Sequence, residues 1–126
     1  PHRMMIVGAG NIGRAVALSD SFSQNGFQTV AIFDQSEKKI GMDVGGILVQ
    51  DMTQMKRYLE ENQVDIAVLA LPAACAQEVA DQLCQYGVRG IWNFAPVDLK
   101  LPEGVASFNV HLEEGLQVLS YRMMQA

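Results

Sequence analysis

Three glycines, in the run Gly8-Ala9-Gly10-Asn11-Ile12-Gly13, have the spacing that brings a polypeptide backbone against a diphosphate. In such a turn Gly8 makes the tight bend and Gly10 lets the backbone approach a pyrophosphate. Gly13 lets helix and strand pack closely. The amides of Asn11 and Ile12 then lie at a helix start, where unpaired donors and the helix dipole favour an anion. Asp34 follows about twenty residues later, at the end of the next apolar run. A carboxylate there accepts hydrogen bonds from the ribose hydroxyls of an adenosine and repels a 2′-phosphate, which favours NAD over NADP; Lys38 and Lys39 close by soften that preference. The plainer alternative is a tight turn followed by a solvated strand end. An apolar strand before the glycines and a helical pattern after them favour the nucleotide.

A second group, Pro72-Ala73 and Asn93-Phe94-Ala95-Pro96, stands at the ends of two later apolar runs. Ligands of open α/β sheets bind there, outside the carboxyl ends of the strands. Asn93 has a donor and an acceptor to offer a carboxamide. Phe94 is suited either to cover a nicotinamide ring or to fill the core. Catalytic machinery is harder to find. The histidines are His2, at the terminus, and His111, after the last strand, and no paired carboxylates, Ser-His-Asp set or metal-ligand spacing stands out. Binding without turnover is therefore the expectation, with no metal and no catalytic residues.

The elements that must hold these groups are short and alternate in type. Met4–Val7 reads as a buried strand and Asn11 to Gln24 as a helix stopped by Gly26. Gln28–Phe33 is a second strand, and Ile47–Val49, after a Gly45-Gly46 turn, a short third. Met52–Asn62 is helical, Asp65–Leu71 a strand ended by Pro72, and Ala73–Tyr86 a helix stopped by Gly87. Gly90–Phe94 and Val105–Val110 are the last strands, and Leu112–Gln125 closes the chain as a helix. Apolar strands alternating with helices imply an α/β fold: a doubly wound, mostly parallel, Rossmann-like sheet covered on both faces, in one domain over 1–126.

Composition agrees. A chain of 126 residues with 49% hydrophobic and 18% charged residues is too apolar for a disordered one, and a net charge of −5 repels a polyanion such as DNA. No run is long enough to span a membrane and the first residues carry no signal-peptide pattern, so the expected place is the cytoplasm. Cys75 and Cys84 fall on opposite sides of one helix, which forbids their pairing and suits a reducing compartment. Pro1 in place of an initiator Met suggests a fragment or a processed end. In the final helix Leu112, Leu116, Leu119 and Met123 form one apolar stripe with Val118 and Tyr121 off it, the pattern of a helix either sandwiched in its own domain or, the favoured reading, buried in a partner subunit.

Nearly end to end, the sequence resembles the C-terminal NAD(H)-sensing domain of the Rex family of bacterial redox-sensing transcriptional repressors. The resemblance is carried by Val7–Gly13, Gly26-Phe27, Phe33-Asp34, Lys39-Ile40-Gly41, Leu71-Pro72-Ala73 and Ala76–Val79. Gly87–Val97, with its Asn-Phe-Ala-Pro stretch, is the most diagnostic part, and Asn109-Val110 and Leu119-Ser120-Tyr121 complete it. It implies a homodimer whose last helix, 112–125, swaps into the partner. It also implies an N-terminal winged-helix domain outside these residues that binds operator DNA, and release of that DNA when NADH changes the dimer geometry. The implied NADH and NAD site comprises Gly8, Gly10, Asn11, Ile12, Gly13, Asp34, Lys39, Pro72, Asn93, Phe94, Ala95 and Pro96. Ser19 and His111 replace a tyrosine and an aspartate common in the family, which puts the wiring of the redox switch in question. His111 is either a surface histidine with no role or a pH-sensitive link. The rival readings are the nucleotide-binding domain of a dehydrogenase, the CoA-binding domain of an acyl-CoA synthetase, and a dimerisation domain that has lost its ligand.

Overall fold

The structure, a computed structural model, describes residues 1–125, the side chains of 113–115 apart. β1 (His2–Val7) lies at the centre of a seven-stranded sheet. Its side chains alternate, Met5 and Val7 facing one layer and Met4 and Ile6 the other, as the period of two along a strand requires. α1 (Asn11–Ala17) and α2 (Asp20–Gln24) lead to β2 (Phe27–Asp34). A hairpin of β3 (Asp43–Val44) and β4 (Ile47–Asp51) follows, then a 3₁₀ turn (Met52–Gln54) and α3 (Met55–Glu61). β5 (Ile66–Leu69), α4 (Ala73–Gln85), β6 (Gly90–Asn93), β7 (Ala106–Asn109) and α5 (Leu112–Gln125) complete the chain.

The strand order is β3-β4-β2-β1-β5-β6-β7, with every pair parallel except β3 against β4. The chain winds outward from β1 first through β2 and β4, then through β5, β6 and β7. The two directions part at β1, where a crevice opens at the carboxyl ends of the strands. The expected doubly wound fold is therefore present.

Three elements differ from the sequence reading. The helix expected over Asn11–Gln24 is two helices, because Leu18 ends α1 and Ser19 is extended (φ −77°, ψ 110°) before α2 starts at Asp20. Ser19 is the N-cap of α2 by backbone conformation, without a side-chain capping bond, and Asp20 opens the new helix with a negative charge at its positive end. Ser19 thus lies in the break and not within the first helix. The strand at Ile47 has an unforeseen antiparallel partner, β3, joined through Gly45 and Gly46, both at positive φ. The helix expected at Met52 opens as a 3₁₀ turn, with the Asp51 carboxylate accepting from the Thr53 amide at 3.0 Å.

Two apolar layers flank the sheet. α3 and α4 cover one face through Met55, Leu59, Val79, Ala80 and Leu83. On the other face α1 and α2 cover the β1, β2 and β4 half with Val16 and Phe22. Over β5, β6 and β7 that second face is open. A cavity of about 390 Å³ lies there, walled by Met4, Phe22, Phe27, Ile66, Trp92 and Phe108, and Phe108 is 70% exposed. α5 keeps its apolar side in solvent, with Leu116 69% and Leu119 53% exposed.

Candidate functional site

Gly8 ends β1 at φ 108°, a conformation that side chains rarely adopt, and its amide donates to Phe33 O at 2.7 Å. A Cβ on Gly8 would strike the Ala70 carbonyl just beyond β5, and one on Gly13 would strike the Gly8 carbonyl. Both glycines are thus demanded by the protein's own packing. Gly10 is different. Its φ of −79° is open to any residue, and a Cβ there would meet nothing within 4 Å. The space it leaves lies over the first turn of α1, whose amides have no carbonyl partner within the helix. A backbone cradle of this kind suits a diphosphate.

Asp34, at the end of β2, closes one side of the cradle. Its Oδ2 accepts from the Ala9 amide at 2.7 Å and its Oδ1 from the Ser36 amide at 2.7 Å. Each carboxylate oxygen keeps a further lone-pair site for a hydroxyl. The carboxylate is therefore fixed to the glycine turn itself. Lys39 lies in the turn after β2, where its amide bonds Ser36 O at 2.9 Å. Arg14 was not among the expected site residues: its Nε donates to Gly10 O at 3.3 Å and its Nη2 to Asn11 Oδ1 at 2.8 Å, which fixes a cation on the first turn of α1. The signal available in the sequence is only a basic residue directly after the third glycine.

On the other side of the crevice, Pro72 is the N-cap of α4 in an extended conformation. A cavity of about 530 Å³ is lined by Ile12 from the glycine turn, by Phe94, Pro96, Val97 and Asp98 after β6, and by Val110, His111 and Leu112 after β7. It joins the glycine turn to the 94–98 loop, as their shared position at the strand ends implies. Asp98 and Leu112 were not among the expected site residues because neither belongs to a motif of the site, whereas Val97 and Val110 fall in the stretches that carry the resemblance.

Asn93 takes a different part from the one expected. It is fully buried, and its Nδ2 donates to Ala95 O at 3.3 Å, Val97 O at 2.9 Å and Asn109 Oδ1 at 3.1 Å. Its Oδ1 accepts from the Ala95 amide at 3.0 Å. The amide has no face left for a carboxamide and instead shapes the 94–97 loop. Ala95 is buried as well, at 4% exposure. Phe94 packs on Trp92, ring centroids 4.8 Å apart, and lines the cavity. Among the described residues no group of three His, Cys, Asp or Glu side chains is placed to hold a metal. Burial pushes the Cys84 thiol up, away from a reactive thiolate.

Comparison with known proteins bears on this site. Residues 1–97 match the CoA binding domain family. The chain is 48% identical over 122 residues to the redox-sensing transcriptional repressor Rex of Clostridium tetani, covering 97% of this chain and 58% of that protein. The crystal structure of RSP, a Rex-family repressor, in complex with NADH superimposes with a TM-score of 0.91 at 38% identity, over 98% of this chain and 60% of that one. RSP in complex with NAD+ and operator DNA gives 0.92 at 38% identity, over 98% and 57%. The chain therefore spans about three-fifths of the length of these relatives.

Proposed function

The chain belongs to the CoA binding domain family, in the branch of the Rex redox-sensing repressors, and from that premise we propose that it is the NAD(H)-sensing and dimerisation domain of such a repressor, working in the cytoplasm and not as an enzyme. The observation that carries the reading is the glycine turn. Gly10 is the one member of the motif that the protein's own packing does not require, and it faces an open cradle closed by Asp34. In this reading the amides of Asn11, Ile12 and Gly13 hold the diphosphate and Asp34 the adenosine ribose, with Lys39 nearby. Phe94, Pro96 and the loop that Asn93 and Ala95 shape lie beside the nicotinamide, across from Pro72. The bound nucleotide supplies a ring whose charge differs between its two redox forms. The domain reads that difference only to the extent that it binds them unequally. Operator DNA is bound by a winged-helix domain outside these residues and released when NADH alters the dimer.

The homodimer rests on complementary surfaces. A helix with an exposed apolar stripe and a sheet face with an exposed apolar groove occur on one chain, so two copies exchanging α5 cover both. Calorimetric titration tests the sensor: NADH is expected to bind more tightly than NAD+, and Asp34→Ala to weaken both by at least about tenfold, as expected for a charge-assisted hydrogen bond. Equal affinities overturn the sensing role, and unchanged binding in Asp34→Ala overturns the ribose assignment. The family match also brings CoA into question. CoA carries a phosphate on its ribose, which the Asp34 carboxylate repels, so CoA is expected not to displace NADH.

A further inference from the structure

In the stretch Ala76–Val79 of α4, Ala76 and Val79 are buried and serve the core. Gln77, between them and half-buried, reaches instead to the connection that follows β6. Its Oε1 accepts from the Lys100 amide at 2.8 Å, and its Nε2 donates to Lys100 O at 2.8 Å. Nε2 also donates to Asp81 Oδ1, one turn further along α4, at 2.8 Å. A carboxylate can only accept, so Asp81 fixes which end of the Gln77 amide carries the hydrogens. Gln77 thus pairs with Lys100 as a peptide unit of a neighbouring strand would. An amide has both the donor and the acceptor for such a pairing, and a carboxylate does not.

The pairing falls where the chain has little else to hold it. Residues 94–105 join β6 to β7 without a helix, and among the described residues no backbone hydrogen bond joins 98–101 to a strand or helix. Leu99 and Leu101 pack on the α3–α4 layer, but apolar contact is non-directional and does not fix register. The crevice wall formed by Phe94, Pro96, Val97 and Asp98 is therefore pinned at both ends, by Asn93 at Val97 O and by Gln77 at Lys100. We infer that Gln77 is a positioning residue for the nucleotide, holding the 94–98 wall in its binding-competent place from α4. The inference rests on the reading above, in which this wall meets the nicotinamide end while the glycine turn and Asp34 hold the remainder. Without the amide the loop samples other placements in the free protein, and selecting the competent one weakens binding. Water competes for bonds of this kind, so the loss is moderate.

The test compares NADH with ADP-ribose, which has the same diphosphate and adenosine and no nicotinamide. Both are titrated by calorimetry into the unaltered protein and into Gln77→Met, which keeps the length of the side chain and loses the amide. NADH is expected to bind Gln77→Met about five- to tenfold more weakly, and ADP-ribose to stay within about twofold. Gln77→Glu keeps the acceptor but sets a charge beside Lys100 O and Asp81, and is expected to show the same split. It decides the matter if Gln77→Met does not fold. Hydrogen exchange at the Lys100 amide reads the pairing without ligand, and is expected to be about tenfold faster in either variant. Unchanged NADH binding, unchanged exchange at Lys100, or equal loss of NADH and ADP-ribose overturns the inference. In each of those outcomes the unaltered protein still binds NADH and the domain reading stands. Failure of the unaltered protein to bind NADH overturns both.

Discussion

The three glycines of one motif answer to different physics, and substitution separates them. Gly13→Ala drives a methyl into the Gly8 carbonyl, backbone against backbone, so neither side can rotate away. It is expected to lower unfolding stability by about 3 kcal/mol, read by urea denaturation, as overpacking does. Gly10→Ala meets no protein atom and is expected to change stability by less than about 1 kcal/mol, the difference between these residues at a helix N-cap. NADH affinity is expected to fall by more than about tenfold, because the methyl occupies the space left for the diphosphate. Asn93→Ala removes two N–H donors shared among three acceptors, and one acceptor, in a buried place and strands the Ala95 amide and the Asn109 side chain. A cost of about 2–4 kcal/mol is expected, with NADH binding weakened through the loop. The residue types at 8, 10, 13, 34 and 93 were legible because spacing relative to strand ends is local information. That Asn93 would spend its amide on Asn109 was not legible, since the two meet only through the register of β6 with β7.

The elements were legible where apolar periodicity was long and uninterrupted, as in β1, β2 and α4. They were not where a local signal competed with it, at Ser19 and at the β3 hairpin, whose two residues are too short to carry a period. The amino-terminal edge of the sheet shows what joins the elements there. The Arg3 amide donates to Asp65 Oδ2 at 2.8 Å, Asp65 N donates to Arg3 O at 2.9 Å, and the amides of Arg89 and Gly90 both donate to Asp65 O at 3.1 Å. One residue thus ties β1, β5 and β6 together. The Arg3 amide holds the Asp65 carboxyl below its ordinary value of 3.8. Desolvation opposes it, second in size to the Arg3 bond, and the Gln63 side chain and the charges of His2 and Arg89 assist. A carboxylate whose folded pKa lies below its unfolded one stabilises the fold above the unfolded value, and that contribution disappears as pH falls through the folded value. Asp65→Asn is therefore expected to be less stable than the unaltered protein at neutral pH, with a deficit that shrinks as pH falls below the ordinary carboxyl value of 3.8, measured by urea unfolding at neutral and acidic pH.

The open half of the sheet and the uncovered helix explain one another only if two chains are counted. β6 connects to β7 through residues 94–105 without a helix, and Leu99, Leu101 and Val105 of that connection pack on the α3–α4 layer. Among the described residues the opposite layer has no helix of its own over β5, β6 and β7, only Phe22 of α2 edge-on to Trp92 at 5.5 Å, and Trp92, Phe108 and Ile66 wall an apolar groove there. α5 presents an apolar stripe with no groove to fill. An exchange of α5 between two copies makes two identical contacts related by a twofold axis, and each joins one helix to one groove. Light scattering should then find a dimer, and Leu116→Glu, which puts a charge on the stripe, should give monomers. Phe108→Glu, which puts one in the groove, should do the same. Mixing the two variants distinguishes exchange from an interface in which stripes pair with stripes. In the mixed pair, the intact helix of the Phe108→Glu chain meets the intact groove of the Leu116→Glu chain, so one of the two contacts is restored and dimers return at higher concentration. A stripe-to-stripe interface would retain Leu116→Glu on one side of every mixed pair and leave Phe108→Glu alone dimeric, an outcome that excludes the exchange.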